Sequence, residues 1–340
     1  MPMVMRFFIL ALWCSAWPAQ AETGKGTVED PVTRDYTRGV IKDWQEGVVL
    51  HPETGNYIVT YKDSYGFFNS VIFDPATKID PALKSKVNFA TGGNSIAYEY
   101  KLKSRTESRQ HIRALRTEIT SLVAGSFVTP EGWRGAAATN NQSTGLPILL
   151  NWSHRVSGLA PGKSEKGFRL ESLDLPGIAT MRIEGDATRT TWLGNAPEVD
   201  TPAGIQMVEF RDFVPRLAAI PRISSPTPFN AAVVLGSIKN HIKEEMVSMQ
   251  LLDPALLASI DRSLTQAIAA AQGGNTASLL YEIKNLRQLL KQEHADVDQE
   301  DDGDDNDKEK EPKPRIDKLA ARVLDFDLKY VEKRVKGDKD

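Results

Sequence analysis

Cysteine is almost absent from this chain of 340 residues: the one copy, Cys14, lies in an N-terminal stretch with the marks of a removable leader. Arg6 is the only charge before Glu22, residues 7–13 are apolar, and Ala19-Gln20-Ala21 is a small-x-small cleavage site. Residues 1–21 therefore read as a secretory signal peptide cut after Ala21, which leaves the mature chain without cysteine. That excludes disulfides, thiolate zinc sites and a thiol nucleophile. A lipid anchor on Cys14 would need a small residue before it, and Trp13 stands there. Long apolar runs are missing too. No other segment approaches the ~18 residues a membrane helix requires, so no membrane span is expected, and the destination is secreted or periplasmic.

Histidine is scarce and dispersed. His51, His111, His154, His241 and His294 fall one per segment, none at the i, i+4 spacing of a helical zinc site. No Gly-x-Ser-x-Gly nucleophile elbow occurs. A Ser-His-Asp or two-carboxylate site gathered only in three dimensions leaves no trace in linear spacing. The segment 158–164 sets three residues between Gly158 and Gly162 where a phosphate loop needs four, and Pro161 removes a backbone donor, so a β-turn is expected there. An excess of one charge is also lacking. With 42 Lys+Arg against 45 Asp+Glu, a net of -3, nucleic acid is not an expected partner.

The near-neutral total hides a segregation of charge. Residues 296–311 hold ten acids and two lysines, so the rest of the mature chain, with 35 acids and 39 bases, is mildly basic. Within that tract Asp298, Glu300, Asp302, Gly303, Asp304, Asn306 and Glu309 fit an EF-hand frame. Oxygen donors at alternate positions with glycine at the sharp turn suit Ca2+. Against the frame, Asp305 stands where an apolar anchor belongs and Glu300 is bulky for its position. Two readings stand: a solvated, disordered acidic loop over 296–314, or a weak calcium site on Asp298, Glu300, Asp302, Asp304 and Glu309. No other cofactor is implied.

From about residue 40 to 213 the pattern is β-like. Residues 56–61 and 70–73 are rich in β-branched and aromatic side chains. In 95–103, Ile96, Tyr98, Tyr100 and Leu102 alternate with Glu99, Lys101 and Lys103, as in a strand with one buried face. Further strands are expected at 148–153, 167–173, 178–184 and 208–213, with Pro161-Gly162 and Pro176-Gly177 as turns. Pro221, Pro226 and Pro228 predict a stiff connector over 220–228. Beyond it the period becomes helical. One helix is expected at 231–249. A second opens on Asp253-Pro254 and ends at Gly273-Gly274. Leu279, Ile283, Leu286 and Leu290, then Ile316, Leu319, Val323, Phe326 and Tyr330, form two more stripes. Among the tryptophans, Trp133 in Pro130-Glu131-Gly132-Trp133 reads as loop-borne, a candidate platform for a sugar, although core packing is the commoner role of tryptophan in a sandwich.

Residues 252–261 followed by 274–283, with the final helix at 316–330, resemble the FIMAH domain, a helical module of secreted bacterial proteins. That resemblance covers about a third of the chain and implies an extracytoplasmic accessory module without a reaction of its own. Tyr98 to Lys103 with Ser108 to Ile112, then Leu159 to Ser164 with Gly167 to Leu170 and Leu175-Pro176-Gly177, are similar to immunoglobulin-like domains of uncharacterised exported bacterial proteins. The expected architecture is therefore multidomain, all-β plus all-α: an immunoglobulin-like β-sandwich over 22–222, a proline-rich linker over 223–228 and a small antiparallel helical bundle over 229–338. The expected role is an exported, non-enzymatic binding or cell-envelope interaction protein whose ligand is a protein or glycan. The alternative is a secreted polysaccharide hydrolase with spatially gathered carboxylates. Intact-mass measurement of the exported chain should give Glu22 as its first residue; a chain retaining Met1 would contradict the leader.

Overall fold

The structure is a computed structural model. It describes residues 32–33, 47–50, 55–62, 68–73, 76–92, 95–139, 147–186, 213–294 and 315–337. Two compact units emerge, 1–75 with 188–212 and 76–187 with 213–340. The signal peptide, the acidic tract and residues 208–212 of the strand expected at 208–213 lie outside the described residues.

In the first unit, β1 (Val32–Thr33), β2 (Gly47–Leu50), β3 (Tyr57–Lys62) and β4 (Phe68–Phe73) form one sheet in that order. β1 runs parallel to β2, and the other pairs are antiparallel.

The second unit contains β5 (Pro81–Phe89), β6 (Ile96–Ser104), β7 (Ile112–Ile119), β8 (Trp133–Thr139), β9 (Ile148–His154), β10 (Ser164–Ser172), β11 (Leu175–Gly185) and β12 (Val214–Ile223). They make two antiparallel sheets, ordered β10-β6-β5 and β12-β11-β7-β9-β8. The alternation in β6 becomes a buried face of Ile96, Tyr98, Tyr100 and Leu102. Between the sheets the fully buried Trp152 meets Tyr100 and Phe168 at centroid distances of 6.0 and 5.8 Å. Each phenol finds a carbonyl: Tyr98 donates to Asp174 O at 2.7 Å and Tyr100 to Ala219 O at 3.1 Å. Buried aromatic rings can carry a hydroxyl when it is paired in this way.

Residues 220–223, expected to begin a connector, instead finish β12, which also contains Pro215 and Pro221. β12 is the edge of the five-stranded sheet, where a strand can lack an N–H without breaking a ladder on its open side. That edge is held to β5 by side chains: Ala219 N donates to Ser85 Oγ at 3.0 Å and Arg216 Nε to Pro81 O at 2.7 Å.

Four helices follow. α1 (Ala231–His241), capped by Asn230, runs on as a π-helical turn over Ile242–Met246. The expected single helix to 249 thus changes hydrogen-bonding register partway. α2 (Pro254–Gln272) starts with the Asp253 carboxylate accepting from Ala255 N and Leu256 N. α3 (Thr276–Glu293) is capped by Asn275 and buries Leu279, Ile283, Leu286 and Leu290. α4 (Lys318–Lys336) runs from an Asp317 cap to a left-handed Gly337, φ 72°.

α4 departs most from its expected stripe. Leu319 and Tyr330 are only half-buried, while Ala320, Ala321, Leu324, Asp325, Asp327, Leu328 and Val331 are buried as well. The reason is position: α4 packs on α1 and α3 and also on β5, β11 and β12. One contiguous apolar core accordingly runs from the sheets through all four helices. Residues 224–230 mark the change from strand to helix without dividing that core.

The surrounded helix carries a carboxyl into the interior. Asp327 is 1% exposed and its Oδ1 finds no hydrogen-bond partner among the described residues. Burial pushes its pKa well above the usual carboxylate range. The folded form therefore keeps a proton that the unfolded form releases above about pH 4. This contribution to stability is complete below that pH and is lost as pH rises toward the folded-state value. In Asp327→Asn the loss disappears, so calorimetric unfolding midpoints of the variant should gain on the wild type as pH rises above about 4. A constant difference would contradict an acid that titrates high.

Candidate anion-binding groove

The outward face of the sheet β10-β6-β5 follows from its inward one. Because Tyr98, Tyr100 and Leu102 point into the core, Glu99, Lys101 and Lys103 must face out. Antiparallel register sets Lys84 of β5 and Lys166 of β10 opposite Lys101, giving three lysines in a row across the sheet. The neighbouring row is Lys86, Glu99 and Arg169. Adjacent strands lie ~4.8 Å apart, and like charges directly opposite one another reduce stability.

A bulge makes the row compatible with the core. Lys166 pairs with Lys101 on the outside, whereas Phe168, two residues on, pairs with the inward Tyr100. Two residues of the same parity reach opposite faces only if an extra residue is inserted between them. Gly167 is that residue, with φ +96°, a conformation that L side chains rarely adopt.

Two cavities lie along this sheet, the larger over its outward face. One of about 720 Å³ is lined by Lys84, Lys86, Lys101, Lys166, Arg169 and Arg322 together with Glu99, Tyr100 and Val128. A second of about 300 Å³ lies between β5 and α4, where Lys86, Asn88, Arg322, Asp325, Phe326 and Lys329 line it. Ser85, Lys86 and Arg322 belong to both, so the two form one groove. Across it seven cationic side chains meet two acids, Glu99 and Asp325. Arg287 holds Asp325 at 2.8 Å. Arg169 pairs with Glu171 at 2.8 Å and lies 4.0 Å from Glu99. Lys84, Lys86 and Lys101 also have interactions of their own, so the field comes from an excess of cations rather than from idle charges. The chemistry on offer is electrostatic capture and charge-assisted hydrogen bonding of anionic groups.

Trp133 requires a correction. It is 2% exposed and opens β8, its ring edge-on to Phe168 at 4.9 Å and to His154 at 5.3 Å. The turn at Gly132, φ +79°, ends one residue earlier than the loop reading assumed, and strand alternation then directs the ring inward. Among the described residues its Nε1 has no partner. The calcium candidates Asp298, Glu300, Asp302, Asp304 and Glu309 lie outside the described residues. His111, His154, His241 and His294 each bond a backbone group: the Ser157 carbonyl, the Gly158 amide, the Ile178 amide and the Ile316 carbonyl. Burial holds the pKa of His154 and of His241 below the usual imidazole value. Among the described residues no three His, Cys, Asp or Glu side chains gather as a metal site. The groove itself went unread in the sequence. Its signal was the paired alternation Lys84/Lys86 and Lys101/Lys103, which acquires meaning only once strand register is known.

No family model matches the chain, and no curated protein matches it. Among solved structures it is similar to one from Nocardia farcinica described as an uncharacterized protein with an immunoglobulin-like fold, at 10% identity over 42% of this chain and 98% of that one. The TM-score is 0.25, too low to define a shared fold.

The lysine row has a measurable consequence without any ligand. Lys166→Gln removes a like-charge neighbour and should raise folding stability by about 0.2–1 kcal/mol in urea unfolding at low salt. The gain should shrink at high salt, where screening weakens the repulsion. A loss of stability would contradict the repulsive row.

Proposed function

We propose that the chain is an exported, non-enzymatic binding protein of the cell envelope that takes an acidic ligand on the basic groove of its second unit. The observation that carries this reading is the row Lys84, Lys101 and Lys166, continued by Arg322, in a groove with seven cations and two acids. Export rests on the leader expected at 1–21. The same groove favours binding over hydrolysis. Its two acids face arginines, Glu99 beside Arg169 and Asp325 on Arg287, which suits fixed charges better than a general acid and its partner base.

The test is an array of acidic and neutral glycans probed with the mature chain and with Lys101→Glu/Lys166→Glu. The wild type should be retained on acidic glycans and the double variant should lose that retention, while its thermal unfolding midpoint stays within a few degrees. Equal retention of both proteins would contradict the assignment.

A further inference from the structure

We infer that the smaller cavity, between β5 and α4, seats the carboxylate of a small organic acid on Arg322; the inference rests on the groove being the binding site and adds where the acid group sits and what carries it. The first argument comes from what the polar side chains of this cavity already hold. Ser85 Oγ accepts from Ala219 N at 3.0 Å, Arg287 takes Asp325 at 2.8 Å, and Lys86 has interactions of its own. Arg322, Lys329 and Asn88 line the same cavity, and among the described residues their side chains have no hydrogen-bond or ion-pair partner. Arg322 and Lys329 carry donors only. A cavity whose one acid is spent and whose two cations are not takes an acceptor-rich, negatively charged group.

The second argument concerns the shape of that group. Arg322 is half-buried on a helix fixed by the core. A guanidinium presents a planar fork of N–H groups that a carboxylate meets with two parallel bonds. Lys329 follows seven residues later, so it stands on the same helical face with Asp325 and Phe326 between them. The third argument concerns what carries the carboxylate. Beside the two cations the wall is apolar: Phe326, Leu319 and Val87 line it, the first at 9% exposure and the others half-buried. An inorganic anion gains nothing from such a wall, whereas the hydrocarbon part of an organic acid removes it from water. The volume of about 300 Å³ lies at the small end of ligand sites and limits the occupant to a compact molecule.

The test is a backbone-amide NMR titration of the mature full-length chain with butyrate, its neutral counterpart butyramide, and inorganic phosphate. Butyrate should saturably shift the amides of 85–88 and 322–329. Phosphate should bind ~10-fold more weakly, the contribution of two buried methylene groups. Arg322→Gln should weaken butyrate at least ~10-fold, the size of one charge-assisted interaction. Arg322→Lys, which keeps the charge and loses the fork, should weaken it as well. Lys329→Gln, exposed on the same helix, should also weaken it and serves if the arginine variants fold poorly. Butyramide that binds as well as butyrate would overturn the anion, and phosphate that binds as tightly would overturn the organic acid. Shifts confined to the amides around Lys84, Lys101 and Lys166 would overturn the seat at Arg322 and leave the groove standing as an anion site. If butyrate shifts nothing while acidic glycans are still retained, this inference fails alone; if neither binds, the reading of the groove fails with it.

Discussion

Helix α4 is the constraint on which the second unit depends. It packs against α1, α3, β5, β11 and β12, and residues 320–328 are accordingly buried around most of its circumference. Ala320, Ala321, Leu324 and Leu328 are each at 0% exposure. The two small alanines allow close approach where larger residues would force the layers apart. Phe89 at the end of β5 packs on Phe326 at 4.9 Å and on Tyr330 at 6.5 Å, with Lys333 Nζ 4.2 Å from its ring centre. Sheet and helix are thereby clamped at one end of the groove, whose walls they supply.

This burial has costs as well as gains. Asp327 lies in the interior with an unsatisfied oxygen, and burial alone raises its pKa. The neighbouring Asp325 has a better arrangement, with Arg287 bridging it to Glu332 at 2.8 Å on each side. Breaking one partner of such a network leaves an uncompensated charge, which costs more than the intact pair contributes. In the groove the balance runs the other way. Cations in register repel one another, and an anionic occupant would remove that repulsion. A stability deficit concentrated on one face, with a rigid helix behind it, is what a preformed charge-reading surface requires.

The sequence was most informative where a single element buries one clean face. β6 could be read from alternation alone, α3 from the four-three-four spacing of Leu279, Ile283, Leu286 and Leu290, and the start and end of α2 from Asp253-Pro254 and Gly273-Gly274. It was least informative where environment overrides propensity. β8 is Trp-Arg-Gly-Ala-Ala-Ala-Thr, a composition that favours helix more than sheet, and it forms a strand because β9 lies beside it. β12 contains two prolines and forms at an edge. The stripe on α4 was read too narrowly, because periodicity shows one packed face and cannot show that a second layer covers the opposite one. The groove lay further out of reach. Its lysines come from strands distant in sequence, and Gly167 sets their register through a bulge that no local pattern announces.

The central claim is that sheets and helices of the second unit share one core, so the groove between β5 and α4 exists before any ligand arrives. Native-state hydrogen exchange tests this most directly. Amides in the middle of β6, β11 and α4 should exchange through a single global opening, with equal free energies and the same denaturant dependence. If α4 amides exchange through a cheaper opening while the strands stay protected, the helices form a separate cooperative unit and the account is wrong.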